Sequence, residues 1–420
     1  MGSPPIPVPA DPADTPALVV VLASTFTVSL GYGIVLPLLP YFLERFLPQA
    51  SNAAASWHIG MLAGAYMFAV FLSAPLWGYL SDRIGRRRVI LLGLAGYALT
   101  LVLLGLSRSL WFAYLMRALA GAYIAAVVPV ASAFVSETAA DEKRARRLAW
   151  MGSASLAGFL VGPAVGGWIS QMGKALSAAG APSNGMISFP LYATAVLCAA
   201  VWAGVYARLP ETVPVHRLEP RARGSGILGS RPQLFRLLAL SLLVTFGLGS
   251  FEVGMVLQAQ QTLRWEPSTL ALMFAECSLV MIAVQVVLFT PAFKALPGHR
   301  LVVPAFLVLA VGFTLIPGAM SFSTMLLVVG VIAASSGMVM PALTHMVSVQ
   351  TVLPLGAALG LQTALSSLGQ GLGSAAVGVL YGPLGDRFFW GSAALMVLGA
   401  IIATGIAGSN SDLDAPQDFD

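Results

Sequence analysis

Twelve apolar runs divide this chain, near residues 17–41, 57–80, 88–107, 110–136, 147–170, 188–207, 235–261, 268–291, 300–320, 322–345, 354–381 and 389–408. Each is close to the ~20 residues that a helix needs to cross the hydrocarbon core of a bilayer. Hydrocarbon offers backbone N–H and C=O groups no partner, so the runs are expected to be α-helices that satisfy their own hydrogen bonds. Composition points the same way: 58% of the 420 residues are hydrophobic and only 9% are charged. A water-soluble domain of this length cannot bury so much apolar surface. The expected fold is an all-α membrane protein with twelve transmembrane helices.

The longest polar stretch, 208–234, holds Arg208, Arg217, Arg221, Arg223 and Arg231 and separates the sixth run from the seventh. It is expected to be a cytoplasmic linker between two six-helix pseudo-repeats, 17–207 and 235–408, as in transporters built from repeats. Residues 1–16 and 409–420 are expected to be cytoplasmic tails. Orientation follows from the basic residues, which are retained on the cytoplasmic side of short loops. Sixteen of the 22 Lys and Arg fall on the face that carries Arg83, and only Arg45, Arg108, Lys174, Arg264 and Arg387 fall on the other. The N-terminal stretch has no Lys or Arg and so lacks the basic region of a secretory signal, and position 6 is not the Ser or Thr that myristoylation favours. Cys198 and Cys277 lie inside apolar runs and read as small core residues, with no disulfide framework.

Between the second and third runs, Gly78-Tyr-Leu-Ser-Asp82-Arg83-Ile-Gly85-Arg86-Arg87-Arg88 holds four arginines and an aspartate in eleven residues. Such a cluster belongs at a membrane face, and a short tight loop is expected, with Gly78 and Gly85 suited to a sharp turn. The spacing resembles the signature of the major facilitator superfamily, carried here by Gly78, Asp82, Arg83, Gly85, Arg86 and Arg87. The segment Gly31–Pro40 resembles the first helix of the drug:proton antiporters of that superfamily. Arg117-x-x-x-Gly121 resembles their fourth-helix motif, whose arginine the resemblance ties to proton coupling. It lies roughly 12 Å from the outer end of its helix at 1.5 Å per residue, where a structural arginine bonding backbone carbonyls near the kink of the first helix is the other reading. Relatives usually carry Asp at the position of Glu137, which is placed to pair with the Arg83–Arg88 cluster and hold the cytoplasmic side shut. Gly158, Gly162 and Gly166 recur every four residues and form a smooth ridge for close helix contact. With Pro163 and Gly167 they resemble the fifth-helix antiporter motif, which points to export. The counterpart of the arginine cluster in the second half, 290–300, lacks the Asp-Arg pair.

Two acids lie deep within apolar runs, Glu252 in the seventh and Glu276 in the eighth, about 13 Å from the start of its helix. Hydrocarbon disfavours a charged carboxylate, and an acid at this depth is a functional candidate by default. Both are candidate proton carriers, and the resemblance adds Arg117 as a third residue in proton coupling. The alternatives are a neutral buried carboxyl bonded to a neighbour for Glu276 and contact with outer-side water for Glu252. No acid lies within the first helix, where many such antiporters carry one, so coupling is expected to run through the second half. Tyr32, Gln258 and Gln362 are candidates to line a substrate cavity, Gln261, Gln285 and Gln370 are other polar groups at depth, and His345 lies at the inner end of the tenth helix, where an interfacial histidine is the plainer reading.

No nucleophile elbow, phosphate loop or metal-spaced Cys/His set occurs, so neither catalysis, a cofactor nor ATP-driven transport is expected. The net charge of +5 reports topology rather than nucleic-acid binding. The resemblance implies a monomeric, proton-coupled exporter of small amphiphilic molecules in a bacterial inner membrane, with protons and membrane lipids as its other partners. A symporter or facilitator for a metabolite, lipid or siderophore, and a non-transporting sensor or assembly factor, are the alternatives.

Overall fold

A computed structural model of the chain describes residues 15–138, 141–178, 185–211, 232–288, 298–350 and 355–411. The helices are α1 (Thr15–Glu44), α2 (Asn52–Ile84), α3 (Arg86–Gly105), α4 (Leu110–Thr138), α5 (Asp141–Ala178) and α6 (Gly185–Arg208). They continue as α7 (Pro232–Leu257), α8 (Pro267–Leu288), α9 (Gly298–Leu315), α10 (Phe322–Gln350), α11 (Leu355–Leu384) and α12 (Phe388–Ser411). Among the described residues, eleven stretches are long and apolar enough to cross a membrane, and the last, Ala358–Gly405, runs from α11 into α12. This is an all-helical, multi-pass membrane protein. Residues 212–231, most of both tails and the segment 289–297, which holds most of the second-half counterpart of the arginine cluster, lie outside the described residues.

Neighbouring helices pack through glycine. On α5, a Cβ at Gly158 would overlap the Phe26 carbonyl oxygen of α1, and one at Gly162 would lie 2.6 Å from the Leu30 oxygen. The four-residue spacing therefore seats α5 directly on the backbone of α1, as close helix packing in lipid requires. Gly369 and Gly373 of α11 meet the carbonyl oxygens of Leu242 and Phe246 on α7 in the same way. The opposite flank of α11 packs on α2, where Gly378 faces Gly60 and Gly382 faces Ala53. Further contacts join α2 to α4, α3 to α4 and α6, α8 to α10, and α9 to α10 and α12.

The arginine cluster corrects the expectation of a loop. Helix α2 runs on to Ile84 and α3 starts at Arg86, so the turn is Gly85 alone, at φ +96°. That conformation lies where a side chain is strained. Gly78 is not in the turn: it sits inside α2, and nothing lies within 4 Å of where its Cβ would be. Polar contacts bridge the turn from α3 back to α2. Arg86 ion-pairs with Asp82 one turn back at 2.6 Å and bonds Ser81, while the Gly85 N–H donates to the Ser81 carbonyl at 3.1 Å.

Candidate functional site

A buried polar cluster joins five helices, α1, α2, α4, α7 and α11, and small residues bring them within reach. Gly249 on α7 packs against the Gln370 carbonyl of α11, which sets Glu252, one turn further along α7, beside the Gln370 side chain. Gly121 on α4 packs against the Tyr66 carbonyl of α2, which sets Arg117, one turn earlier on α4, against the Tyr66 ring. Gly33 of α1 meets Phe159 and Pro163 of α5, which draws Phe159 beside Tyr32.

Glu252 is only 2% exposed. Its Oε2 accepts a hydrogen bond from the Tyr32 hydroxyl at 2.7 Å and another from Gln370 Nε2 at 2.8 Å. Gln370 Nε2 also lies 3.3 Å from the Tyr32 oxygen. No Lys, Arg or His among the described residues forms an ion pair with Glu252. The acid is thus held by neutral donors, one from a helix 220 positions away. The Tyr32 ring stacks on Tyr66 at 5.1 Å between centroids and on Phe159 at 5.8 Å. Beyond Tyr66 lies Arg117, also 2% exposed, with its guanidinium 4.5 Å from the Tyr66 ring centre. Its Nε donates to the Leu62 carbonyl at 3.3 Å, while Nη2 has no partner. A planar guanidinium suits such a stack, where its charge rests on the ring quadrupole. The carbonyl it bonds belongs to α2, not to the first helix. Arg117, Tyr66, Tyr32 and Glu252 form one continuous column.

The other candidates lie apart from this column. Glu276 on α8 is half-buried, and its Oε2 has no hydrogen-bond partner. Its Oε1 faces α10, 3.0 Å from the place a Cβ on Gly330 would take. Gln258 is fully buried and donates to the Ile316 carbonyl at 3.3 Å. Gln362 is buried between Ser241 of α7 and Thr344 of α10, at 3.1 and 3.2 Å. Gly166 packs on Ile34, and Gly167 is buried. Sequence reasoning missed Tyr66 altogether. The available signal was an aromatic residue in the run neighbouring a membrane arginine.

On the side of these helices that carries Trp265, hydrogen bonds tie α1 and α2 to the end of α7. A π-helical turn, Gln258–Thr262, sends Gln260 to Glu44 at 2.8 Å and Gln261 to Ser56 and the Asn52 carbonyl at 3.1 and 3.2 Å. The Tyr41 hydroxyl donates to the Trp265 carbonyl at 3.1 Å. With the Gly60–Gly378 contact, these close the Trp265 face.

On the opposite face, Arg86 reaches across to Glu137 at the end of α4, bidentate at 2.6 and 3.3 Å. Arg87 donates to the Tyr206 carbonyl at 2.5 Å and stands 3.4 Å from Glu211, which also lies 3.8 Å from Arg88. Arg83 instead covers its own helix, 4.3 Å from the Tyr79 ring centre. The Arg86 side chain is 13% exposed but Asp82 and Glu137 are each 50% exposed, so water screens both pairs. Glu137→Gln is expected to destabilise by about 1 kcal/mol or less. Arg86→Ala, which strands two carboxylates together, is expected to lower the Tm further in thermal unfolding of the detergent-solubilised protein.

A polytopic helical fold with charged residues on its faces and one buried acid between facing helices defines the class of secondary membrane transporters. Residues 21–373 match the Major Facilitator Superfamily, and this chain belongs to that family. It is similar to Multidrug resistance protein 2 of Bacillus subtilis (strain 168), 25% identical over 86% of this chain and 88% of that protein. It is 30% identical to the class D tetracycline resistance protein of Salmonella ordonez, over 79% and 80% of the two chains. Among solved structures, the human organic anion transporter MFSD10 (TETRAN) aligns with a TM-score of 0.70 at 22% identity, over 93% of this chain and 99% of that one. A D-xylose-proton symporter aligns with a TM-score of 0.68 at 17% identity, over 92% and 96%. Transporters of this family are not enzymes, and they bind small-molecule substrates.

Proposed function

We propose that this chain exports small amphiphilic compounds in exchange for protons, working as a monomer through twelve spans in two six-helix bundles that rock about a midplane cavity. The recurrence of helix pairings six positions apart supports the two bundles: α1 with α5 and α7 with α11, α3 with α6 and α9 with α12. The Arg86 face is cytoplasmic in this reading, as the excess of basic residues favours; the membrane is the bacterial inner membrane and both termini are cytoplasmic. Similarity to multidrug and tetracycline resistance proteins supports export.

The observation that carries the coupling is Glu252. A carboxyl between two neutral donors, with no cation to hold its charge, exchanges a proton when its surroundings change. Arg117 lends positive potential through the aromatic column, and Glu276 is the second candidate carrier. Everted membrane vesicles with an acidic lumen provide the test. Tetraphenylphosphonium, a neutral lipophilic dye or an organic anion is added while luminal pH and compound uptake are recorded. Uptake of a probe with simultaneous luminal alkalinisation is expected. Uptake that persists unchanged after the proton gradient is collapsed would make the chain a facilitator instead.

A further inference from the structure

Tyr32 reaches Glu252 from another helix group. In the order of the chain, α1 belongs with α5 and α6, whereas Glu252 and Gln370 stand on α7 and α11, which pack on each other. Gln370 therefore steadies the acid locally, and Tyr32 is the donor that ties it to α1. The bond lies at the inner end of the contacts that close the Trp265 face. We infer that Tyr32 is the residue that prevents slip: its hydroxyl holds the Trp265 face closed while Glu252 is a bare carboxylate. This rests on Glu252 as the proton carrier.

The physical basis is the difference between the two forms of the acid. A carboxylate is a strong acceptor, and its bond to a hydroxyl is charge-assisted. A protonated carboxyl is a weaker acceptor, and the same contact then loosens. The groups near the acid are Tyr32 on α1, Tyr66 on α2, Arg117 on α4, Cys277 on α8 and Gln370 on α11. None of them offers an ion pair that would replace the Tyr32 bond. After the proton leaves toward the cytoplasm, an empty carrier that returned outward would let protons enter without exporting anything. The Tyr32 bond opposes that return, and a substrate that displaces the hydroxyl permits it. Tyr32 is thus a positioning residue for coupling, distinct from the carrier itself.

The experiment uses no substrate. Purified protein is reconstituted into liposomes, a pH gradient is imposed with valinomycin and potassium clamping the potential, and proton entry is followed with an internal pH dye. Wild type is expected to stay tight. Tyr32→Phe, which keeps the ring on Tyr66 and Phe159, is expected to admit protons roughly tenfold faster, the scale of one charge-assisted hydrogen bond. The Tyr32→Phe/Glu252→Gln double variant is expected to be tight again. Spin labels at Gln49→Cys and Glu266→Cys, both exposed on the Trp265 face, provide a second reading. In wild type at alkaline pH one short distance is expected, with longer ones added on acidification; in Tyr32→Phe the longer ones should appear at alkaline pH as well. A tight Tyr32→Phe with wild-type distances overturns the inference, as does a leak that survives in the double variant. Proton-coupled probe uptake persisting in Glu252→Gln would instead remove the carrier on which the inference stands.

Discussion

Glu252→Gln is expected to bring the substrate gradient this protein sustains down to near unity. Each proton exchanged lets a difference of about one pH unit support about a tenfold substrate gradient, and a side chain that cannot release a proton supports none. Gln keeps the shape of Glu and can still accept from Tyr32 and Gln370, so the fold is expected to survive with little change in Tm. The effect is therefore on accumulation and not on yield. Downhill exchange of labelled for unlabelled probe needs no net proton movement and is expected to continue. Measurement of both in the same liposomes separates a lost carrier from a lost protein. Glu276→Gln is expected to retain accumulation, because its carboxyl stands apart from the column and has no hydrogen bond to α1 or α11.

Gly158→Leu is expected to abolish the folded protein rather than its coupling. A Cβ there would overlap the Phe26 carbonyl and lie 3.0 Å from the Leu30 nitrogen. Both are backbone atoms of α1 and cannot rotate away. Helices α1 and α5 would have to separate, which would also draw Phe159 off the Tyr32 ring. Overpacking of this kind costs about 3 kcal/mol, a large share of the stability of a typical domain. The control is Gly152→Leu on the same helix, where nothing lies within 4 Å of the new Cβ. Monodisperse yield and Tm in detergent are expected to collapse for Gly158→Leu and to hold for Gly152→Leu. Equal stability of the two would contradict backbone-on-backbone packing of α1 and α5.

The positions of the helices were legible in the sequence because lipid imposes the strongest of all patterns, an apolar run of fixed length. The four-residue ridge on α5 was legible for a related reason: small residues at that spacing have few other uses in lipid. The arginine cluster reads in the sequence as a loop, whereas in the structure it is helical on both sides of Gly85. Its charges pair across the turn, Asp82 at the end of α2 with Arg86 at the start of α3. Glycine at 85 and glycine at 78 look alike in sequence, but only the first carries a positive φ.

The site was half legible. Glu252, Tyr32, Arg117 and Gln370 each stand out as polar groups in apolar runs. That Tyr32 would meet Glu252 depends on how α1 lies beside α7, and no local pattern encodes a contact across 220 positions. The same blindness made Glu252 and Glu276 look equivalent. Packing separates them: one meets Tyr32 and Gln370, and the other faces the bare backbone of Gly330. The partners of Gln258 and Gln362, Ile316 and the Ser241–Thr344 pair, are likewise set by packing between helices and have no local pattern in the sequence.

The most direct test of Glu252 as the carrier is infrared difference spectroscopy of the reconstituted protein, recorded as tetraphenylphosphonium is added at constant pH. Binding that expels the proton should remove one carboxyl C=O band. That band should be absent in Glu252→Gln and unchanged in Glu276→Gln. A band that persists in Glu252→Gln, or vanishes in Glu276→Gln, would contradict the assignment and move the proton to another acid.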